Sequence, residues 1–340
     1  MVAKNIIDTG ESRCKICNQE SMSLWISNLD CLSIWRCEAC DSALTFPIPE
    51  VTTLEDHYSS TYYKEDENIA VINRRRDESS AVFSGLLEYL ESLQGGRRIL
   101  DVGCSYGFFL DQARARGWDV KGLELGRPAA EFARNQLGLD VHNGQLAELA
   151  QQCPEFDVIT FWHVLEHVPD PHFYLTLAFE MLPVEGWVAI RVPNISSLSR
   201  LLLGKGWHWF LPHDHIHHLS PTGLATLVNR AGFEIKYLTT QQGDYPYNLP
   251  ACAGLSLIQA VGLEKIAKKG LKTETATDED LPQAVGEGYR MAYTFLSVCN
   301  RLNYFARPLI KWLWRGNMGD EILVFAVKKT GAAAMEEKIE

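Results

Sequence analysis

The segment Ile99–Leu110, which reads ILDVGCSYGFFL, constrains the fold of this chain more than any other stretch. A β-rich run ends on Asp101, and Gly103 and Gly107 follow before an apolar run that can open a helix. Glycine permits the backbone angles of a tight strand-to-helix turn, and a backbone without a Cβ lets a ligand approach closely. The segment therefore predicts the nucleotide-binding turn of a βα unit.

Strand-like and helix-like segments alternate from this turn onwards. The apolar patterns predict strands at 98–102, 119–125, 140–142, 156–161, 187–192, 233–239 and 321–327. They predict helices at 70–93, 108–116, 128–137, 171–182 and 221–231. Such alternation is typical of an α/β fold with a mostly parallel sheet, in which ligands bind at the carboxyl ends of the strands.

Composition excludes several classes of protein. The 340 residues carry a net charge of −11, which argues against broad nucleic-acid binding because phosphate contacts need clustered lysine and arginine. No run approaches the ~18–20 apolar residues of a membrane span. The first residues, MVAKNIIDTGESRCK, lack the apolar segment of a signal peptide, so we expect a cytoplasmic protein.

Four of the nine cysteines form two CxxC pairs, Cys14/Cys17 and Cys37/Cys40, separated by 19 residues. Two such pairs are typical of a closed tetrahedral site for structural zinc, here in an N-terminal zinc ribbon. Two redox-active CxxC motifs are the alternative. Cys31 fits neither pair, and we expect it to be a small buried side chain.

The glycine turn differs from the phosphate-binding loops. It lacks the third glycine of a dinucleotide-binding GxGxxG loop, which a dehydrogenase would need, and the lysine of a P-loop. Asp101 in front of it would repel a pyrophosphate but favour a cation such as an amino group or a sulfonium. Glu124 follows 23 residues later at the end of a strand, where an acid can bind both ribose hydroxyls.

Four motifs in this order resemble the class I S-adenosylmethionine-dependent methyltransferases. They are ILDVGCSYGFFL, VKGLELGRPAAEFAR, FDVITFWHVLEHVPDP and HIHHLSPTGLATLVNRAGFEI. The resemblance covers roughly residues 80–245 and 318–329, and it includes ubiquinone-pathway O-methyltransferases and polysaccharide and natural-product enzymes. It implies a Rossmann-like seven-stranded methyltransferase sheet with S-adenosylmethionine as the methyl donor.

The resemblance also assigns cofactor-binding residues. It places Asp101, Gly103 and Gly107 near the methionine part of the donor, and Glu124 on the ribose. It places Gln145 and Leu146 beside the adenine. The rest of the predicted cofactor-binding set is Cys104, Leu125 and His163. For Cys104 the alternative is a small side chain that only packs.

The first of two histidine groups is His163-Val-Leu-Glu166-His167, which follows the predicted strand at 156–161. If this segment is helical, its polar side chains share one face and can bind a divalent metal. In the similar ubiquinone-pathway enzymes an acid stands in place of His163 and helps to bind a metal. A metal or base role and a structural polar network both remain open, whereas a protease is rejected because the motif follows a Rossmann-like strand.

The second group contains four histidines, His213, His215, His217 and His218, directly before a helix capped by Ser220. His215 matches a histidine that the similar enzymes carry at this place. A neutral imidazole accepts protons near pH 7, so we predict His215, His163 and His218 as catalytic candidates. A network that only orders the loop, and adventitious metal binding, are the alternatives.

The predicted domains run from an N-terminal ribbon to a polar tail. They are a zinc ribbon at 1–48, a linker and N-terminal helix at 49–95, the core at 96–245, a helical insertion or lid at 246–317, the last core strand at 318–330 and a disordered tail at 331–340. Residues 301–317 mix cationic and aromatic side chains, which is typical of peripheral membrane contact or of a lid. The apolar, tryptophan-rich residues 201–212 add to this expectation.

These observations predict an enzyme that transfers a methyl group from S-adenosylmethionine to an oxygen, with a histidine as general base. The expected acceptor is a saccharide, a quinone or a lipid-linked small molecule. An RNA base methyltransferase with the ribbon as RNA anchor is the rival function. A non-catalytic module that kept the fold is a third, but Asp101 and Glu124 are both present. Nothing in the sequence sets the oligomeric state.

Overall fold

The computed structural model describes most of the chain outside the predicted insertion. The described residues are 13–29, 31–49, 58–59, 69–93, 96–152, 155–207, 209–241 and 316–329. The predicted insertion at 246–317, apart from its last two residues, lies outside them, as does the predicted tail. The expected lid and membrane-contact segment therefore stay predictions.

The central element is a seven-stranded sheet, as predicted. Its strands are β4 (Arg98–Val102), β5 (Asp119–Glu124), β6 (Val141–Asn143), β7 (Val158–Trp162), β8 (Trp187–Pro193), β10 (Phe233–Gln241) and β11 (Glu321–Lys328). They lie in the order β10-β11-β8-β7-β4-β5-β6. Strand β4 pairs in parallel with β5 and β7, so the carboxyl ends of these three strands meet at one edge.

Helices connect these strands, as the alternation predicts. They are α1 (Ile69–Ser92), α2 (Phe108–Ala115), α3 (Arg127–Leu137), α4 (Leu146–Ala150), α5 (Pro171–Met181), α6 (Leu198–Leu203) and α7 (Pro221–Arg230). Two of them, α4 and α6, were not predicted because they span only one or two turns. The signal for α4 was present, since Gln145 and Glu148 form a reciprocal capping box at its start.

A second, four-stranded sheet contains the ribbon. Its strands β1 (Met22–Leu29), β2 (Leu32–Cys37) and β3 (Ala43–Phe46) run antiparallel. The fourth strand, β9 (His217–His218), comes from a much later part of the chain and pairs with β3. The expectation of a buried Cys31 is wrong: it is exposed, because it lies between β1 and β2 with a φ of 71°.

The ribbon and the sheet share one hydrophobic core. The central strands are apolar on both faces, and Leu100, Ile159 and Ile190 are fully buried. The four paired cysteines and Ile16 belong to the same buried cluster as these residues. A ribbon of this size buries too little surface to fold alone, so its stability depends on this shared core and on its cysteine cluster.

The chain divides into two compact units. The first contains Met1–Ile195, Leu211–Thr239 and Ile322–Glu340, and the second contains Ser196–Phe210 and Thr240–Glu321. Within the second unit, the indole of Trp207 donates a hydrogen bond to Asp320, whose pKa burial raises to about 6. Among the described residues, no helix is both long enough and apolar enough to cross a membrane.

Candidate functional site

An open cleft lies at the carboxyl ends of β4, β5 and β7. Its lining consists of Tyr58, Val102, Gly103, Leu123, Glu124, Leu125, Gly144, Leu146, His163, Val164, His167, Val168, Pro169 and Tyr174. These described lining residues include an acid but neither lysine nor arginine. The cleft therefore favours a ligand without phosphate.

Glu124, the last residue of β5, provides the negative charge of the cleft. The backbone N–H of Ser105 donates to its Oε2 and that of Gly126 to its Oε1, both at 2.7 Å. Each oxygen keeps a lone pair, so the carboxylate can accept two hydroxyl groups at once. The side chain is almost fully buried, and this burial outweighs the backbone hydrogen bonds to the carboxylate and raises its pKa to about 7.

Asp101 lies one layer behind the cleft. Its carboxylate accepts a hydrogen bond from the Thr160 hydroxyl at 2.6 Å, on the neighbouring strand β7. Burial raises the pKa of Asp101 to about 8, and the nearby Glu124 adds to this increase. Ionising either of these buried acids costs free energy when no positive charge is near. A cationic ligand would stabilise the ionised forms and would therefore bind favourably at the ends of β4 and β5.

The glycine turn brings its two glycines to different neighbours. Both adopt a positive φ, 72° at Gly103 and 82° at Gly107. A Cβ on Gly103 would lie 2.6 Å from Val164, and one on Gly107 would lie 2.5 Å from Leu139. The turn can therefore form only with glycine at these positions, since both the backbone angles and the space exclude a side chain.

The structure places the predicted cofactor residues in two groups. Those that line the cleft are Gly103, Glu124, Leu125, Leu146 and His163. Those outside the lining are Asp101, Cys104, Gly107 and Gln145. The Cys104 side chain is buried and packs against Gly122, where an added Cβ would lie 2.7 Å from its Sγ. Gln145 is the residue that caps α4.

Sequence reasoning missed several lining residues. Tyr58 comes from the segment before the core, and Val164, Val168, Pro169 and Tyr174 follow β7. The signal for those after β7 was available, because in a parallel sheet the segments after neighbouring strands meet at one edge. Tyr58 carried no comparable signal, since only the tertiary fold brings it to the cleft.

The segment after β7 forms a turn rather than the helix on which the metal-binding interpretation depended. His163 has a φ of 57°, and this strained conformation for a residue with a Cβ reverses the chain. The turn still brings the motif together: His163 Nδ1 lies 3.2 Å from Glu166 Oε1. Because a carboxylate accepts, Nδ1 carries the proton and donates.

Glu166, His167 and His215 converge beside the cleft. One ligand atom from each lies within 4.8 Å of the others. Glu166 is 1% exposed, and its Oε2 has no hydrogen-bond partner in the described structure. His167 Nδ1 donates to the Asp214 carbonyl at 2.9 Å, which leaves Nε2 with a free lone pair. A buried carboxylate oxygen and a preset imidazole suit a divalent cation.

The remaining histidines of the second group have different surroundings. We call residues 211–220 the histidine loop. Within it His213 is exposed, whereas His217 and His218 are buried in β9. Burial lowers the pKa of His217 to about 4, so its ring is neutral at physiological pH. His218 Nε2 lies 3.1 Å from the Thr45 hydroxyl of β3, and the ring does not line the cleft.

The four paired cysteines meet as the CxxC spacing predicts. All are buried, with Sγ–Sγ distances of 3.8 Å for Cys14/Cys40 and 3.5 Å for Cys17/Cys37. A tetrahedral zinc with Zn–S bonds of ~2.3 Å separates its sulfurs by ~3.8 Å. The hydrogen bond from Cys40 lowers the pKa of Cys14 to about 5, while burial raises that of Cys17 to about 11.

Comparison with known proteins agrees with the geometry. The sequence matches a family described as a methyltransferase domain over residues 73–238. A ubiquinone biosynthesis O-methyltransferase from Bordetella avium is 30% identical, over 44% of this chain and 68% of its own length. One from Pseudomonas entomophila is 33% identical, over 42% of this chain and 66% of its own. The chain belongs to the S-adenosylmethionine-dependent methyltransferases.

This membership confirms the resemblance, the enzyme class and the methyl donor that the sequence predicted. Among solved structures, a SAM dependent methyltransferase from Archaeoglobus fulgidus matches with a TM-score of 0.46 and 16% identity, over 82% of this chain and 100% of its own. Phosphoethanolamine N-methyltransferase 2 from Haemonchus contortus matches with a TM-score of 0.47 and 15% identity, over 85% of this chain and 63% of its own.

Proposed function

We propose that this enzyme methylates a hydroxyl oxygen of a small-molecule acceptor, with a divalent cation held by Glu166, His167 and His215. The observation that carries the proposal is the convergence of these side chains beside the donor cleft, which His167 also lines. The relatives from Bordetella and Pseudomonas are named as O-methyltransferases, which supports oxygen as the acceptor atom. They give no support to the RNA alternative.

The donor side of the mechanism depends on position and charge. Bound S-adenosylmethionine supplies a methyl group already activated by its sulfonium, so the protein mainly orients the reactants. Glu124 would hold the two ribose hydroxyls through the lone pairs that Ser105 and Gly126 leave free. Asp101, whose pKa burial raises to about 8, would ionise as the positive charge of the donor binds and would then favour that charge from behind the glycine turn.

On the acceptor side, the protein must remove the proton of the hydroxyl. A cation held by Glu166, His167 and His215 would supply Lewis acidity, which lowers the pKa of an acceptor hydroxyl. His163 lines the cleft, and Glu166 orients its ring through Nδ1 at 3.2 Å, so it is the candidate that takes the proton. His215 then acts as a ligand rather than as the base.

The test follows methyl transfer from labelled S-adenosylmethionine to a panel of catechols, quinols and saccharides, including lipid-linked ones. Brief chelation that leaves zinc bound, verified by elemental analysis, should abolish turnover, and Mn²⁺ should restore it. Glu166→Gln should lower kcat about 100-fold, as expected when a ligand or catalytic contact is lost. Its matched control is Glu131→Gln on the exposed face of α3, which should match the wild type.

Two further readouts decide this test. Glu166→Gln should leave the affinity for S-adenosylhomocysteine within about twofold, because Glu166 does not line the donor cleft. His215→Ala should likewise lower turnover far more than donor binding. Turnover that is insensitive to chelation, together with full activity of Glu166→Gln, would reject the metal-assisted mechanism.

The cysteine cluster supports a structural zinc ion as a second part of the proposal. Four thiolates close the coordination sphere and leave no position for substrate, so this ion would stabilise the ribbon and take no part in catalysis. Buried thiols at these distances repel one another when ionised, and a dication offsets that repulsion. A lipid-linked or quinone acceptor and peripheral contact with a membrane through 301–317 remain predictions of the sequence.

A further inference from the structure

Strand β3 of the ribbon contacts the histidine loop at the candidate metal site. Ala43 pairs with His218 and Leu44 with His217 in antiparallel register. The next residue, Thr45, donates its backbone N–H to the Ile216 carbonyl at 2.8 Å. The ribbon therefore lies next to the candidate metal site, although its cysteines are far from the histidine loop in the sequence.

The Thr45 side chain makes two contacts to this loop. Its Oγ1 lies 3.1 Å from the His215 carbonyl oxygen and 3.1 Å from His218 Nε2. A carbonyl oxygen only accepts, so the single hydroxyl proton of Thr45 goes to His215. His218 must then donate from Nε2, which fixes its neutral tautomer. All three residues are at most 4% exposed, so bulk water does not replace these bonds.

The opposite side of the loop is held by the turn after β7. The Glu166 carbonyl accepts the N–H groups of Ile216 at 2.8 Å and His217 at 3.0 Å. The loop therefore lies between the backbone of one proposed ligand and the Thr45 hydroxyl. Since His215 itself supplies another ligand, Thr45 fixes the backbone from which that ligand projects.

The beginning of α7 joins the ribbon as well. The Ser220 hydroxyl donates to the Cys40 carbonyl at 2.5 Å, and the Ser220 N–H donates to the Ser42 hydroxyl at 3.1 Å. Because Cys40 is one of the four paired cysteines, the cluster is continuous with the helix that ends the histidine loop. Both ends of β9 are thus fixed by the ribbon.

We propose that Thr45 is a positioning residue for His215 and His218, and that the ribbon thereby completes the catalytic centre. The inference rests on the proposed function where it concerns the metal site. It gives the ribbon a role within its own chain. Thr45 does not line the donor cleft, so the effect is confined to the acceptor side.

The first test compares Thr45→Val, which keeps the shape and removes the hydroxyl, with Thr45→Ser, which restores it. Titration with Mn²⁺ alone, followed by electron paramagnetic resonance, should show about tenfold weaker binding in Thr45→Val and near wild-type binding in Thr45→Ser. Affinity for S-adenosylhomocysteine should not change. The matched control is Thr176→Val, which removes a hydroxyl that donates to the His172 carbonyl on α5.

The second test does not depend on a metal. ¹⁵N spectra of histidine-labelled, metal-free protein should show His218 as the Nε2–H tautomer, and Thr45→Val should lose this preference while Thr45→Ser keeps it. A wild type that binds no Mn²⁺ would reject the metal part of the proposed function, and the spectra would still support or refute positioning. Unchanged spectra and unchanged Mn²⁺ affinity in Thr45→Val would overturn the inference.

Discussion

The donor side and the acceptor side of this enzyme are built in different ways. On the donor side, Glu124 is held by Gly126, two residues away, and by Ser105, 19 residues away. On the acceptor side, Thr45 meets His218 across 173 residues and Ser220 meets Cys40 across 180. One site follows from a local turn, and the other exists only after distant segments have met.

Because the two sides are built differently, substitutions should affect donor binding and acceptor chemistry separately. A change to a local turn should alter donor binding and leave the acceptor side intact. A change to the ribbon should disturb the acceptor chemistry, because the histidine loop pairs with β3, and should leave donor binding intact. If such variants weakened donor binding and acceptor chemistry equally, the two sides would not be independent.

The largest effect is expected from loss of the cysteine cluster. Wild-type protein should contain about one zinc per chain, and Cys14→Ser/Cys37→Ser should contain none. Since structural zinc contributes on the order of 10 kcal/mol to small sites, the ribbon should unfold and turnover should fall more than 100-fold. Elemental analysis and steady-state kinetics measure both outcomes.

The matched control for this variant is Cys31→Ser, because Cys31 is an exposed ribbon cysteine outside the cluster. It should keep zinc and activity. If the donor and acceptor sides are independent, the double variant should still bind S-adenosylhomocysteine with affinity similar to the wild type. A folded, active, zinc-free wild type would contradict the zinc assignment.

The next effect concerns Glu124 on the donor side. Glu124→Ala removes a charged acceptor for hydroxyl groups, a loss of about 1.5–3 kcal/mol, and should weaken S-adenosylhomocysteine about 10- to 100-fold. Calorimetry measures this affinity. Asp119→Ala, at the exposed start of the same strand, is the control and should bind normally. Mn²⁺ affinity should not change, and a parallel loss of it would break the separation of the two sides.

A smaller effect is expected where the ribbon contacts α7. A Cβ on Gly223 would lie 2.0 Å from Ser42 Oγ, which is buried and hydrogen bonded to Ser220. Gly223→Ala should therefore lower the free energy of unfolding by about 1–3 kcal/mol, measured by chemical denaturation. Gly85→Ala is the control, because no atom lies within 4 Å of its added Cβ. Equal stability of both variants would contradict the tight contact.

The smallest expected effect is the pH dependence of donor binding. The pKa of Glu124 is about 7, above its usual value, so the free carboxyl is mostly protonated at pH 6 and ionised at pH 8. Because the ionised form accepts the ribose hydroxyls, affinity for S-adenosylmethionine should rise about tenfold over this interval.

The same pKa sets the sign of a stability effect. The folded state holds this proton at pH values where the unfolded chain has lost it, so the Glu124 contribution to stability falls as pH rises from about 4.5 through 7. Glu124→Gln should remove the contribution of Glu124 to both dependences and leave that of Asp101, whose pKa is about 8, as calorimetry and denaturation across this range would show. A flat affinity profile in the wild type would refute the raised pKa.

The donor-side residues could be proposed from the sequence because their signals are contiguous, and their contact with the donor stays a prediction. Gly103 and Glu124 follow strands that can be read from apolar patterns, and both line the cleft. The prediction of the acceptor side was incomplete. The sequence identified His163, Glu166, His167 and His215 as candidates, but it could not show that three of them converge while the segment after β7 forms a turn.

The sequence by itself determined the α/β sheet, the glycine turn and the cysteine pairs, because each depends on spacing within a short segment. The S-adenosylmethionine donor followed from the resemblance of four motifs to the methyltransferases. Only the tertiary structure decided that β9 joins the ribbon, that Tyr58 reaches the cleft and that Thr45 holds His215 and His218. The physical reason is that a hydrogen bond between distant segments depends on how the whole core packs. The spacing of residues within a short segment carries no information about that packing.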